Sequence, residues 1–493
     1  MAEDCLFGTL PEQVRPNREI GVGAARLWEP ERDVIELRAA CLDSLLSPDH
    51  QARLIWSYVL QLDLSELEAR IKAREGVPGH PAITPRLLLA LWLYATSEGV
   101  VSARLLARLC ESDAAYQWLC GGITVNHRTL GEFRVGNGEL LNRLLAQSVV
   151  ALAAEGLIDL DMLAQDGVRV RASAGASSFR RRPTLEQKIA EAKVILAELA
   201  KEAQSDPAAN EQRVRQRRAQ RTAERLSRLE AALAKVAQIE AQQSKEQPEK
   251  PSKPSKGKKK EASTPQVTPQ SEAPAQSENP PLPAPDGEPA QKHPSTSAQH
   301  GKKPKPPRAS TTDPDARVIK MADGGFRPAY NMQVASVAGK QIVVAVDVST
   351  SSSDRGLARP MLEKINATYA TLPKHYLIDG GFTKNEDIEW AHGVNVAMYC
   401  PPVINKHNTD PFAPRDNDGR GVSAWRQRMN SDAGKATYRQ RSVHECINAR
   451  GRKFGLVQLT VRGWAKALSE LTLVALVNNI LQGDRLRQIA AAA

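Results

Sequence analysis

The chain has 493 residues, a net charge of +11 and a hydrophobic content of 41%, yet only 4% of its residues are aromatic. That length exceeds one ordinary compact domain, and the absence of any Phe, Trp or Tyr between Phe179 and Phe326 excludes one uniform globule. The six cysteines (Cys5, Cys41, Cys110, Cys120, Cys400 and Cys446) show no C-x-x-C spacing, so neither a zinc ribbon nor a disulfide framework is expected. The longest apolar runs, such as Leu87–Ala95, are too short to span a membrane. The N-terminal MAEDCLFGTL lacks the basic region of a signal peptide, which makes the cell interior the expected location.

The charge is uneven: residues 1–179 sum to −6, residues 180–310 to +10 and residues 311–493 to +7. Of the partners a basic excess attracts, nucleic acid fits best, because no lipidation signal or basic amphipathic anchor accompanies it. Residues 1–33 read as an N-terminal extension and residues 34–155 as an all-helical domain. Thr84-Pro85 is a cap and first-turn pair, followed by Leu87, Leu88, Leu91 and Trp92 at helical spacing. Such a region serves equally as a scaffold, a dimerisation module or a helix-turn-helix reader of DNA, with His127, Arg128 and Arg134 as candidate phosphate contacts.

After Gly156 the period changes. Leu157–Ala164 alternates as a strand ending at Asp166-Gly167, and Val168–Arg171 continues the alternation. Strands resume at Tyr330–Ser336 and Gln341–Val348, joined by a turn at Ala338-Gly339. Tyr376–Ile378 makes a short strand closing on Asp379-Gly380-Gly381, a helix follows near Asn385–Ala391, and Val394–Tyr399 is a further strand. From Tyr438 to Leu481 the pattern is helical with a break near Gly455. The sum is a mixed α/β sheet over 156–174 and 311–493. Residues 175–240 interrupt it as a helical hairpin, in which Leu185, Ile189, Ala192, Leu196 and Leu199 are answered by Leu226, Leu229, Leu233 and Val236. Residues 241–310 hold 15 of the 32 prolines and the lysines at 256 and 258–260. With so little apolar surface to bury, that segment reads as a disordered linker.

Three acids stand out by context: Asp166 and Asp379 at strand ends, and Glu445 on the basic helix TYRQRSVHECINARGRK, flanked by Arg441 and Arg452. Each alone reads as a turn cap or a helix salt bridge. As one set they suit phosphodiester chemistry, since hard divalent cations prefer carboxylate oxygens and arginines hold phosphates.

The spacing Tyr438-x2-Arg441-x3-Glu445-x6-Arg452 resembles the Y-R-E-K signature of bacterial insertion-sequence transposases with a DDE active site, with Arg in place of the final Lys and Lys453 beside it. QDGVRVRASA resembles that family's first-Asp block, DPDARVIKMADGGFRPAYNMQVA the strands that follow, and LIDGGFTKNEDIE the second-Asp block. HPAITPRLLLALWLYATSEGVVSARLLARL resembles the helical N-terminal domain of the same group. The resemblance implies an RNase H-like core with Asp166, Asp379 and Glu445 as catalytic metal ligands for two Mg²⁺ (or Mn²⁺) ions. It further implies DNA contacts by Tyr438, Arg441 and Arg452, and positioning roles for Asn331 and Lys320. Asp347 and Asp354 fit neither Asp block and read as a strand-end cap and a loop residue. His444 reads as a further polar contact or a residue facing elsewhere.

The implied function is a transposase acting on double-stranded DNA as a homodimer in the cytoplasm, at the nucleoid. It would bind terminal inverted repeats, cleave there with metal-activated water and join the 3′-hydroxyl to target DNA. The rival readings are a nuclease without strand transfer and a catalytically silent DNA-binding protein.

Overall fold

The computed structural model describes residues 41–74, 80–205, 209–245, 306–402, 410–413 and 415–493. The extension expected over 1–33 and most of the linker expected over 241–310 lie outside the described residues.

The first region is helical: α1 (Gln51–Leu60), α2 (Ser65–Ala69), α3 (Pro85–Ser97), α4 (Ala103–Ser112), α5 (Ala114–Cys120), α6 (His127–Gly136) and α7 (Gly138–Ala154). Pro85 opens α3 where no intrahelical N–H is needed. The side chains of Asp113 and Asn126 cap α5 and α6 by accepting from Tyr116 and Arg128 amides among others. Every residue of α3 except Arg86 is buried, so it forms the centre of this region's core.

The strands are β1 (Met162–Arg171), β2 (Phe179–Arg180), β3 (Ala309–Ser310), β4 (Arg317–Lys320), β5 (Phe326–Val337), β6 (Val343–Ser349), β7 (His375–Ile378) and β8 (Ala397–Tyr399). The main sheet runs β4-β5-β1-β7-β8, and β6 also pairs with β5. β5 is antiparallel to β1, β4 and β6, whereas β7 is parallel to β1 and β8 to β7. This curled mixed sheet with flanking helices has an RNase H-like layout. β5 and β6 are joined by a hairpin in which Gly339 takes φ +77°, a conformation that favours glycine.

Between β1 and β4 the chain makes α8 (Arg182–Ser205) and α9 (Ala209–Lys245), an antiparallel arm whose base is held by the β2–β3 pair. Leu185, Ile189, Leu229, Ala232 and Val236 form its own small core with Ala309. α9 continues to Lys245, past the expected end of the hairpin at 240. The later helices are α10 (Ala358–Tyr369), α11 (Asn385–Gly393), α12 (Arg420–Asn430), α13 (Asp432–Arg439), α14 (His444–Lys453) and α15 (Trp464–Ala492). α10, α11 and α12 share one core with the sheet, and α14 and α15 share another.

α15 also enters the helical region. Leu473, Val474, Leu476, Val477 and Ile480 belong to the same core as α1 and α3, while Ala467, Leu468, Leu471 and Ala475 pack against the sheet. No helix among the described residues is long and apolar enough to cross a membrane.

Candidate functional site

The register of β1 and β7 places the two aspartates. Leu163, Ala164 and Gln165 stand opposite Tyr376, Leu377 and Ile378 in parallel, so Asp166 and Asp379 are the next residues at the same level on adjacent strands. Side chains at one level of a parallel pair share a face. Asp166 does not end its strand as the alternation suggests. β5 pairs with β1 from Leu163 through Arg171 and carries it five residues beyond Asp166. β7 stops at Ile378, and among the described residues the next pairing on that edge is the bridge from Arg171 to Gln458. The strands therefore part at the two aspartates and leave an opening.

A cleft of about 640 Å³ fills this opening, lined among others by Asp166, Asp379, Asp354, Asn448, Arg169 and Arg452. The Asp166 side chain is 21% exposed and the Asp379 side chain 55%. Gly167 N–H donates to Asp166 Oδ1 at 2.9 Å and Asn448 Nδ2 to Asp166 Oδ2 at 2.9 Å. Asp379 caps the turn that follows it, accepting from Gly380 N–H at 2.8 Å. Arg441 joins the two acids, 3.6 Å from Asp166 and 3.9 Å from Asp379. Burial pushes the Asp166 carboxyl up; the Gly167 amide and Arg441 oppose this, and the charge of Asp379 adds to it.

The helix expected to run unbroken through Tyr438 and Arg452 is in three parts. α13 ends at Arg439, a 3₁₀ turn covers Gln440–Val443, and α14 begins at His444. Tyr438 is half-buried with Arg441 over its ring at 6.0 Å. His444 is buried, its Nδ1 within 2.7 Å of Ser336 Oγ. Burial and then the Arg441 charge hold its imidazole down at about 3, so it is neutral at physiological pH. Glu445 is exposed and stands one helical turn before Asn448, on the same side of α14. It is not among the residues lining the cleft, whereas Arg452 is.

Asn448 is the residue that the pattern reading missed; Asp354, read as a loop residue, does lie in a loop, and it reaches the cleft. Asn448 could have been found as the position three beyond Glu445. Asp354 accepts from Asn331 Nδ2 at 2.7 Å and Gln333 Nε2 at 2.9 Å. Gln333 Oε1 in turn accepts from Gln165 Nε2 at 2.8 Å, and Tyr376 O–H donates to Gln165 Oε1 at 2.7 Å. A buried polar chain thus runs beneath β1 and ends on a carboxylate in the cleft. Asn331 belongs to this chain, and Lys320 contributes its carbonyl to Arg169 at 3.1 Å. Asp347 lies apart, 3.7 Å from Lys364. Arg134 turns inward, over the Trp92 ring at 4.4 Å with Nη1 donating to Val101 O, while His127 and Arg128 are exposed.

The donor chemistry of Asp166 and Asp379 suits a hard divalent cation, and Arg441 supplies the positive charge that two adjacent carboxylates need. Among the described residues, no three His, Cys, Asp or Glu side chains stand close enough together to hold a metal ion.

Residues 40–135 match the family model described as a transposase domain (DUF772). The chain thus carries a transposase-type helical domain. No curated protein and no solved structure matches the chain. The transposase-domain match covers α1 to α6 and stops short of the sheet, so the two aspartates rest on geometry alone.

Proposed function

We propose that this protein is a DNA transposase whose chemistry takes place where β1 and β7 part. In this reading it binds the terminal inverted repeats of its element, cleaves at their ends and joins the freed 3′-hydroxyl to target DNA, working as a homodimer. The observation that carries the reading is the parallel register that sets Asp166 beside Asp379 at the mouth of a cleft lined by both aspartates and arginines, in a chain that also carries a transposase domain.

Asp166 and Asp379 would hold Mg²⁺ or Mn²⁺, with Glu445, outside the cleft lining here, completing the set only when metal and DNA bind. When bound, such ions activate a water or 3′-hydroxyl and stabilise the leaving oxygen. Asn448 and the Gly167 amide fix the Asp166 carboxylate, so its lone pairs are aimed before substrate arrives. Arg441 and Arg452 supply charge for the phosphates, with Arg441 braced against Tyr438. Just past Asp379 a second cleft of about 560 Å³ begins at Gly380 and bears Arg355, Lys384 and Arg415. A strand crossing the aspartates therefore meets cations on both sides of the scissile position.

The test is cleavage and joining of an end-containing duplex in Mg²⁺ by wild type and by Asp166→Asn, Asp379→Asn and Glu445→Gln. Each variant should lose about 10³-fold or more in rate while binding the duplex within about threefold of wild type. Cleavage without joining would leave a nuclease. Undiminished cleavage by Asp379→Asn would remove this cleft as the reaction centre.

A further inference from the structure

The outer face of α9 carries arginines that the fold itself does not use. From 213 to 228 the sequence has seven arginines and one acid, Glu224. α8, its partner in the arm, mixes Glu186, Glu191, Glu198 and Glu202 with Lys188, Lys193 and Lys201. The excess is therefore local to α9 rather than a property of the hairpin.

Arg217, Arg221 and Arg225 recur every four residues and are exposed, with Arg218 beside them, while Leu226 and Leu229 turn toward α8. Among the described residues none of these four guanidinium groups makes an ion pair or side-chain hydrogen bond. Glu224, on the same side, accepts from Gln220. Ion pairs elsewhere on the arm include Arg182 with Glu186 and Glu240, Lys193 with Glu230, and Lys235 with Asp315 at its base.

We infer that this face is a phosphate-binding rail for duplex DNA. Four residues of helix rise about 6 Å, close to two phosphate steps along one strand at about 3.4 Å of axis each. Arginine suits the task because its planar donors match phosphate oxygens and are weakly hydrated. From Lys235 at the base to Arg217 the arm extends about 27 Å, so the rail lies well out from Asp315, where the arm is anchored. The contact is sequence-neutral, since phosphates carry no base information. The inference takes its partner from the DNA-processing reading of the cleft but needs none of the cleft's chemistry.

The experiment measures affinity for an end-containing and an unrelated duplex across a salt series, with the full chain carrying Arg217→Gln, Arg221→Gln and Arg225→Gln together. Three lost contacts should lower the slope of log affinity against log salt by about 2 to 3 and weaken both duplexes about tenfold or more. The corresponding triple Lys variant should keep the slope. Sedimentation mass should not change. An unchanged slope overturns the inference. A change in sedimentation mass with the slope intact also overturns it, and makes the face a contact between copies of the chain. A wild type that cleaves normally while the triple variant binds as it does leaves the cleft reading standing and the rail fallen. A reduced slope alongside undiminished cleavage by Asp379→Asn gives the reverse. Absence of any wild-type DNA binding removes both.

Discussion

Gly167 lies directly against the carboxylate of Asp354: a methyl group at 167 would overlap Asp354 Oδ1 and come within 2.6 Å of Gln333 Nε2. The glycine after Asp166 is thus demanded by close approach. Gly167→Ala should cost about 1–3 kcal/mol, the usual penalty of overpacking, read as a lower midpoint in denaturant. An unchanged midpoint would mean that Asp354 swings aside freely.

Arg441 neutralises Asp166 and Asp379 together. Arg441→Gln should destabilise the chelator-treated protein by about 1–3 kcal/mol, because the largely buried Asp166 carboxylate, with Asp379 beside it, loses its counter-charge. Millimolar Mg²⁺ should then raise the variant's melting temperature more than the wild type's. Equal shifts in a thermal-melt comparison would show that the arginine and the cation do not answer the same charge.

Glu470, buried in α15, has its carboxyl pushed up to about 7 by burial, with Arg134 opposing. The folded state therefore holds a proton that the unfolded chain has released above about 4.5. The resulting stability is fully present below about 4.5 and is lost as pH rises through 7, up to about 3 kcal/mol in all. Glu470→Gln should flatten that decline and melt higher than wild type at pH 8. Parallel melting curves from pH 5 to 8 would contradict the assignment.

The arm has its own core, in which Leu229 is 1% exposed. Leu229→Ala should cost about 2–4 kcal/mol of local stability, seen as faster proteolysis within 182–245. The main melting transition should stay in place. A matching drop in the main transition would show instead that arm and sheet unfold together.

Much of the mixed sheet is legible in sequence because strand signals are local: the short, β-branched run QIVVAVDVS is bounded by turn residues, and β6 is that strand. The two aspartates are found by their context, but where Asp166 sits within β1 is set by β5, where its partner Val334 lies 168 residues further on. The Asp354 contact has no sequence signature at all, since it depends on a loop folding back beneath Gly167. Arg134 looks like a DNA contact because its charge is visible and its burial over Trp92 is not. The break at Gln440–Val443 carries no glycine or proline to announce it, although Ser442 and Val443 are weak helix formers.

The last helix ties the molecule together in a way that bears on shortened copies of the gene. Because α15 completes the core of the transposase-type helical region as well as that of the sheet, a product truncated before Trp464 would leave Leu89, Leu91 and Leu93 without part of their packing. Loss of α15 would therefore weaken both cores at once.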